Sequence, residues 1–415
     1  MLRPMTHSGR STDEALERAR ALDAADPLRR FRERFVVHNP DLVYLDGNSL
    51  GRLPMATRDR LRSAVENEWA GELIGAWDHW VELPGRVGDA LARDVLGAAE
   101  GEVVVADSTT VNFYRLAAAA LDARRGRRVI VTDRANFPTD RYVLEGLARA
   151  RGLAIQWLDP DPVRGPSADD VAAVLDEDVA LVSLSHVNYR SAAIADLAAI
   201  GERAHAAGAL TLWDLSHSAG IVAVDLAGIG ADLAVGCTYK YLNAGPGAPA
   251  FQYIRRDLQD ELRTPIQGWF GRHDVFSMGQ GWEPAAGIAA WLAGTPAILG
   301  LVAIEEGVRL VAEAGLARIR AKSIALTSFA VELHDHRLAG LGSSLGSPRD
   351  PGQRGGHVSI RHARARDLRA LLAAAGVIAD FREPDSLRLG LSPLTTSFED
   401  VARGVEAIHV ILAAG

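Results

Sequence analysis

The sequence predicts an α/β fold: a large unit built on a mainly parallel sheet flanked by helices, followed by a small C-terminal α/β unit. Three observations predict it. Between about 100 and 255, short β-branched runs alternate with Ala/Leu-rich stretches of helical spacing, the pattern of parallel strands joined by crossover helices. Runs such as VALVSL are apolar on both faces, as a central strand requires. From about 285 a long helical region leads into HVSIRH, ARDLRALLAAAG, VIADFRE and SLRLGLSPL, a short sheet with a helix.

The elements follow in order. Residues 1–60 read as helical at first and then extended around DLVYLDGNSLG. The runs EVVVAD, RRVIVTD, LAIQWLD, VALVSLSHV, ALTLWDLS and ADLAVGCT are the expected strands of the large unit. The helical region PAAGIAAWLAGTPAILGLVAIEEGVRL and its continuation are expected to break at Pro296 and near Gly315. GLGSSLGSPRDPGQRGG is a loop by composition. Single cores seldom grow past roughly 250–300 residues, so 415 residues are expected to hold more than one domain, with an N-terminal segment (1–60) contributing to the small domain, a large domain (61–295), and a long connecting helix with a small domain (296–415).

Composition narrows the function. A net charge of −8 and a pI near 5.9 argue against nucleic-acid or anionic-membrane partners, leaving a small-molecule ligand. Cys237 is the single cysteine, so no intrachain disulfide forms. The start MLRPMTHSGRSTDEA has no apolar signal core, and no apolar run reaches the roughly 20 residues that span a bilayer. The expectation is a soluble, cytoplasmic protein. Of 45 basic residues only Lys240 and Lys322 are lysine, and arginine replaces lysine for surface charge but not where an amine must lose its proton and attack a carbonyl.

In parallel sheets ligands sit at the carboxyl ends of strands, and four such ends carry polar residues. In ADSTTVNF a helix begins near Thr109 or Thr110; its first N–H groups suit a phosphate, although N-capping by Ser108 or Thr109 accounts for the same residues. In NFPTDRY, Pro138 and Asp140 are placed as a helix start requires, while Phe137 also offers a ring face and Asp140 an acceptor. In WDLSHS, Asp214 ends a buried strand, so it either caps the next turn or meets a cation; His217 follows at i+3, structural or in contact with a phosphate. In TYKYLNAGPG, Lys240 precedes a Gly245-Pro246-Gly247 turn. A lysine amine, an acid for a ring nitrogen, a stacking face and phosphate donors in one sheet together fit pyridoxal 5'-phosphate.

YLDGNSLG at 44, TVN at 110, FPTD at 137, LSHV at 184, WDLSHSAG at 213, YKYLNAGPG at 239, GWFG at 268 and LRLGLSPL at 387 resemble the kynureninase family, pyridoxal-phosphate enzymes of the aspartate aminotransferase fold group (fold type I, with a mainly parallel seven-stranded sheet). The resemblance implies that Lys240 forms the internal aldimine and Asp214 holds the pyridinium nitrogen. It implies that Phe137 stacks on the ring beside Asp140, and that Thr109, Thr110, Ser185, His217 and Tyr239 line the cofactor, with Tyr239 near the phosphate. Trp269 and Thr295 match positions that reach the cofactor from the neighbouring subunit, implying a homodimer with a shared site. Arg388 matches the arginine that pairs with the substrate's α-carboxylate, where strand period alone leaves Arg382 and Arg388 equivalent. Asn48 and Ser49 border the substrate, and no metal is implied. The implied reaction is hydrolysis of L-kynurenine, or 3-hydroxy-L-kynurenine, to the anthranilate and L-alanine, with Lys240 and Tyr239 as the catalytic pair. The alternatives are another lyase or epimerase of this fold, or a relative acting on a substituted kynurenine. A desulfurase needs a mobile nucleophilic thiol, and Cys237 lies on an expected buried strand. A cofactor-sensing transcription regulator needs a basic DNA-binding module that this chain lacks.

Overall fold

The computed structural model describes residues 7–414; residues 1–6 of the N-terminal segment and Gly415 of the C-terminal unit lie outside the described residues. After a helix at His7–Ala25, the extended stretch contributes a two-residue strand, β1 (Val43–Tyr44). The six apolar runs form β2 (Val103–Ala106), β3 (Val129–Asp133), β4 (Ala154–Leu158), β5 (Val179–Ser185), β6 (Leu210–Asp214) and β7 (Leu233–Gly236). A seventh strand, β8 (Ala250–Ile254), was not read from the sequence. The order is β2-β8-β7-β6-β5-β3-β4, parallel everywhere except at β8, which runs antiparallel to both neighbours.

Burial explains the apolar character of the central strands. All seven residues of β5 are buried. Val179, Val182 and Leu184 pack with Leu301 and Ile304 of the helix Ile298–Ala314, whereas Ala180 and Leu181 pack with Phe113 and Leu116 of the helix Thr109–Ala123. The sheet therefore divides two apolar layers, as helices on both faces require. Ser108 caps Thr109–Ala123 by accepting from the Val111 N–H, and Pro138 opens Pro138–Arg151 with Asp140 in its first turn. The strand ends and helix starts thus come together at one edge of the sheet.

Downstream, the helical expectation needs correction between 285 and 295: Gly287–Trp291 is a single 3-10 turn, and the α-helix starts at Ile298, beyond Pro296, which lacks an N–H to donate. A second helix, Leu316–Arg337, follows Gly315. The expected loop carries a two-residue strand, β9 (Ser344–Leu345), before β10 (His357–Arg361). VIADFRE is two strands, β11 (Val377–Ile378) and β12 (Asp380–Arg382), followed by β13 (Ser386–Gly390). β11 pairs in parallel with β1, tying the N-terminal stretch to the small unit. The remaining four form an antiparallel sheet ordered β12-β13-β10-β9. Val358, Leu387 and Leu389 of this sheet pack with Phe329, Val401 and Val405 into a third apolar cluster.

Candidate active site

At the carboxyl ends of β5, β6 and β7, a cavity of about 280 Å³ is lined by Thr109, Thr110, Phe137, Asp140, Ser185, Asp214, His217, Tyr239 and Lys240. These nine come from five chain segments, and each was a candidate in the sequence. Lys240 is 8% exposed, and its Nζ lies 5.9 Å from the centroid of the Phe137 ring. It makes no ion pair among the described residues, whereas Lys322 is buried in an ion pair with Asp26 at 2.7 Å. Of the two lysines, one is neutralised structurally and the other is available for chemistry.

Asp140 and Asp214 are both buried. Asp214 Oδ1 accepts from the Ser216 N–H at 2.7 Å, so it does hold the next turn, and its other oxygen stays free of that bond. Both oxygens of Asp140 are buried without a hydrogen-bond partner. Burial, and next the Asp214 carboxylate, push its carboxyl well above the usual range, against the pull of Lys240. Two acidic side chains buried beside one another cannot both ionise cheaply unless a cation meets them. A protonated ring nitrogen supplies that cation, so the site fits pyridoxal phosphate. His217 is buried with Nδ1 unpartnered; burial, and then Lys240 and His357, hold its imidazole well below its ordinary range and so neutral at pH 7. The neighbouring Cys237, then burial, raise the Tyr239 phenol, which keeps its proton. Gly245 and Gly247 adopt positive φ, 89° and 74°, in the turn behind the lysine.

Arg388, Asn48 and Ser49 do not line this cavity. Arg388 is 1% exposed, which separates it from Arg382, whose side chain is 38% exposed. Its Nη1 donates to the carbonyl of Tyr189, a cavity residue whose ring meets Phe137 edge-on at 5.3 Å. Its Nη2 donates to Ser49 Oγ at 3.2 Å. Asn48 is fully buried with its amide unpartnered. The N-terminal loop docks on the lysine segment through the Gly51 N–H, which donates to the Tyr239 carbonyl at 2.8 Å. Trp269 is 37% exposed and Thr295 is exposed; neither lines the cavity of its own chain.

Sequence reasoning missed two supporting residues. Buried Asn136 accepts from Ser185 Oγ at 2.7 Å and from the Phe137 N–H at 2.8 Å, fixing a cavity hydroxyl and the ring together. Asp380 pairs with Arg388 (Nε to Oδ1, 2.7 Å, and Nη2 to Oδ2). Asn136 adjoins a motif already singled out, so its signal was proximity to FPTD; Asp380 gave none without strand register.

Solved structures share this architecture. A cysteine desulfurase from Thermococcus onnurineus superposes with a TM-score of 0.79 at 20% identity, over 90% of this chain and 96% of its own. The cysteine desulfurase CsdA from Escherichia coli gives 0.81 at 18%, over 93% and 98%. A C-DES mutant with glycine covalently linked to its PLP cofactor gives 0.77 at 18%, over 88% and 97%. The fold is therefore fold type I. Closer relatives are found by sequence: kynureninase of Pseudomonas fluorescens is 42% identical over 94% of both chains, and that of Burkholderia pseudomallei 43% over 95% of both. The kynureninase C-terminal domain profile matches residues 319–408. With that identity along nearly its whole length, the chain belongs to the kynureninase family.

Proposed function

We propose that this protein hydrolyses L-kynurenine, or its 3-hydroxy form, to the corresponding anthranilate and L-alanine with pyridoxal phosphate held at Lys240. One observation carries it: in a kynureninase-family chain, the lysine amine that forms no ion pair among the described residues shares a cavity with an aromatic ring and two buried acidic side chains. When bound, the cofactor supplies an aldehyde for exchange with amino groups and a sink for negative charge on the adjoining carbons.

The chain's residues divide the remaining work. Asp214, with Asp140 beside it, would hold the cofactor's ring nitrogen as a cation. Phe137 would offer the cofactor a ring face, His217 and Ser185 would line it, and Thr109 and Thr110 at a capped helix start, with Tyr239, would hold its phosphate. Lys240, as a free amine beside the substrate's α-carbon, would be the base that removes the α-proton. Water adds to the γ-carbonyl, the bond between the β- and γ-carbons breaks, and the γ-carbon leaves as the carboxylate of the anthranilate. The β-carbon takes a proton, and Tyr239, whose phenol stays protonated, donates it. Arg388 receives the α-carboxylate, with Asn48 and Ser49 bordering it.

The same reading assigns 61–295 to the large domain, 296–415 to the connecting helix and small domain, and 1–60 to a segment that joins the small domain. It also makes the molecule a cytoplasmic homodimer in which Trp269 and Thr295 complete the partner's site; no helix among the described residues is long and apolar enough to cross a membrane. The test is incubation of the pyridoxal-phosphate-loaded protein with each substrate. Equimolar alanine and the matching anthranilate are expected, the ratio of the two rates gives the preference, and alanine without an anthranilate refutes the reading.

A further inference from the structure

Arg388 is already paired. Asp380 and Arg388 sit directly opposite each other on β12 and β13, where facing side chains meet. The carboxylate takes the side edge of the guanidinium: Nε donates to Oδ1 at 2.7 Å and Nη2 donates to Oδ2. Asp380 also pairs with Arg382 at 2.9 Å and accepts from Ser49 Oγ at 2.9 Å. Arg388 is thereby a buried cation with a fixed counter-ion. Among the described residues its other edge, formed by Nη1 and Nη2, donates to neutral acceptors, the Tyr189 carbonyl and Ser49 Oγ.

A planar guanidinium has two edges that each match a carboxylate. We propose that Asp380 is a positioning residue for substrate recognition: it clamps the side edge of Arg388 permanently, so that the end edge is presented to the α-carboxylate, with the Tyr189 carbonyl and Ser49 hydroxyl holding that place until substrate displaces them. This rests on the reading that Arg388 receives the carboxylate. Neutral place-holders matter, because a second anion on the end edge would have to be expelled by each substrate, whereas a carbonyl and a hydroxyl yield to a carboxylate's stronger charge-assisted bonds. Because the ring of Tyr189 abuts Phe137, the displacement is felt at the cavity wall.

The experiment uses the holoenzyme and two ligands, L-alanine and L-alaninamide, which share amine and methyl but differ in the carboxylate. Their dissociation constants are read from the visible absorbance of the bound cofactor. Asp380→Asn is expected to weaken alanine roughly 10- to 100-fold and to leave alaninamide within about twofold, with KM for the substrate rising more than kcat falls. Asp380→Glu, which keeps the charge, is expected to recover part of the alanine affinity, and it carries the comparison if Asp380→Asn does not fold. Equal weakening of both ligands, or no change in either, overturns the proposal. Arg388→Ala separates the two levels: if it weakens both ligands equally or neither, the assignment of Arg388 falls; if it weakens alanine alone and the Asp380 variants do not, only the role of Asp380 falls.

Discussion

An amine attacks a carbonyl only as the free base, and a guanidinium never becomes one at physiological pH; Lys240→Arg is therefore expected to lower turnover by about 10²- to 10⁴-fold even though charge and stem length are nearly kept. Borohydride reduction of the holoenzyme followed by peptide mapping is expected to label Lys240. Lys322, paired with Asp26, stays unmodified, and label on Lys322 would refute the cofactor assignment. A second residue carries a pH signature. Burial, and next Asp380, raise the Asp46 carboxyl to about 6, above its ordinary value of 3.8. A raised carboxyl stabilises the fold fully below pH 4 and loses that contribution as pH rises through 6. Asp46→Asn, neutral throughout, is expected to gain on the parent by on the order of 2–3 kcal/mol between pH 4 and 7, read from unfolding midpoints across that range; a pH-independent difference contradicts the assignment. At this scale the sequence was informative where composition or strand position singled a residue out, as for Lys240 and Asp214. It was silent on Asp380, whose meaning depends on the residue eight positions away that lies across the sheet.

Elements place those residues, and one close approach tests how tightly. The helix Ile298–Ala314 backs the lysine segment at Gly307, where an added Cβ would stand 1.9 Å from the carbonyl oxygen of Leu242. Backbone there cannot swing aside, so Gly307→Ala is expected to cost about 1–3 kcal/mol and to weaken cofactor retention, because Leu242 lies two residues beyond Lys240. Gly201, in the helix Leu197–Ala206, is the control: an added Cβ meets nothing within 4 Å, and Gly201→Ala is expected to gain about 0.5–1 kcal/mol from a better helix former. Urea unfolding and the cofactor's dissociation constant measure both, and similar behaviour of the two variants would show that helix and lysine segment are not rigidly packed. The strands that carry the site were legible because each is a short, mostly apolar and largely buried run. β8 was not: AFQYI follows the Gly-Pro-Gly turn without a helix, and its antiparallel direction breaks the alternation by which the others were read. The stretch 285–295 misled in the opposite sense, since its Ala-rich composition reads as helix where the chain makes only the 3-10 turn Gly287–Trp291 ahead of Pro296.

Trp269, Phe276 and Met278 are exposed at 37%, 60% and 69%, an apolar group on the segment that also leads to exposed Thr295. Such a group marks an interaction surface, in keeping with the proposed homodimer in which each chain's 269 and 295 side chains complete the other's cavity. A two-fold dimer makes this testable by mixing two defective parents. Lys240→Ala destroys the site in its own chain, while Trp269→Ala, on this reading, damages only the partner's. A hybrid dimer then holds one doubly damaged site and one intact site, the latter combining Lys240 of one chain with Trp269 of the other. After the two inactive homodimers are dissociated and allowed to reassociate in equal amounts, half of the dimers are hybrids and activity is expected to return to about a quarter of the parent's. If Trp269 instead served its own chain, each site of the hybrid would keep a single defect and nothing would be regained. Full activity of the Trp269→Ala homodimer would remove that residue from the site altogether, and a sedimenting species of one chain's mass would remove the dimer.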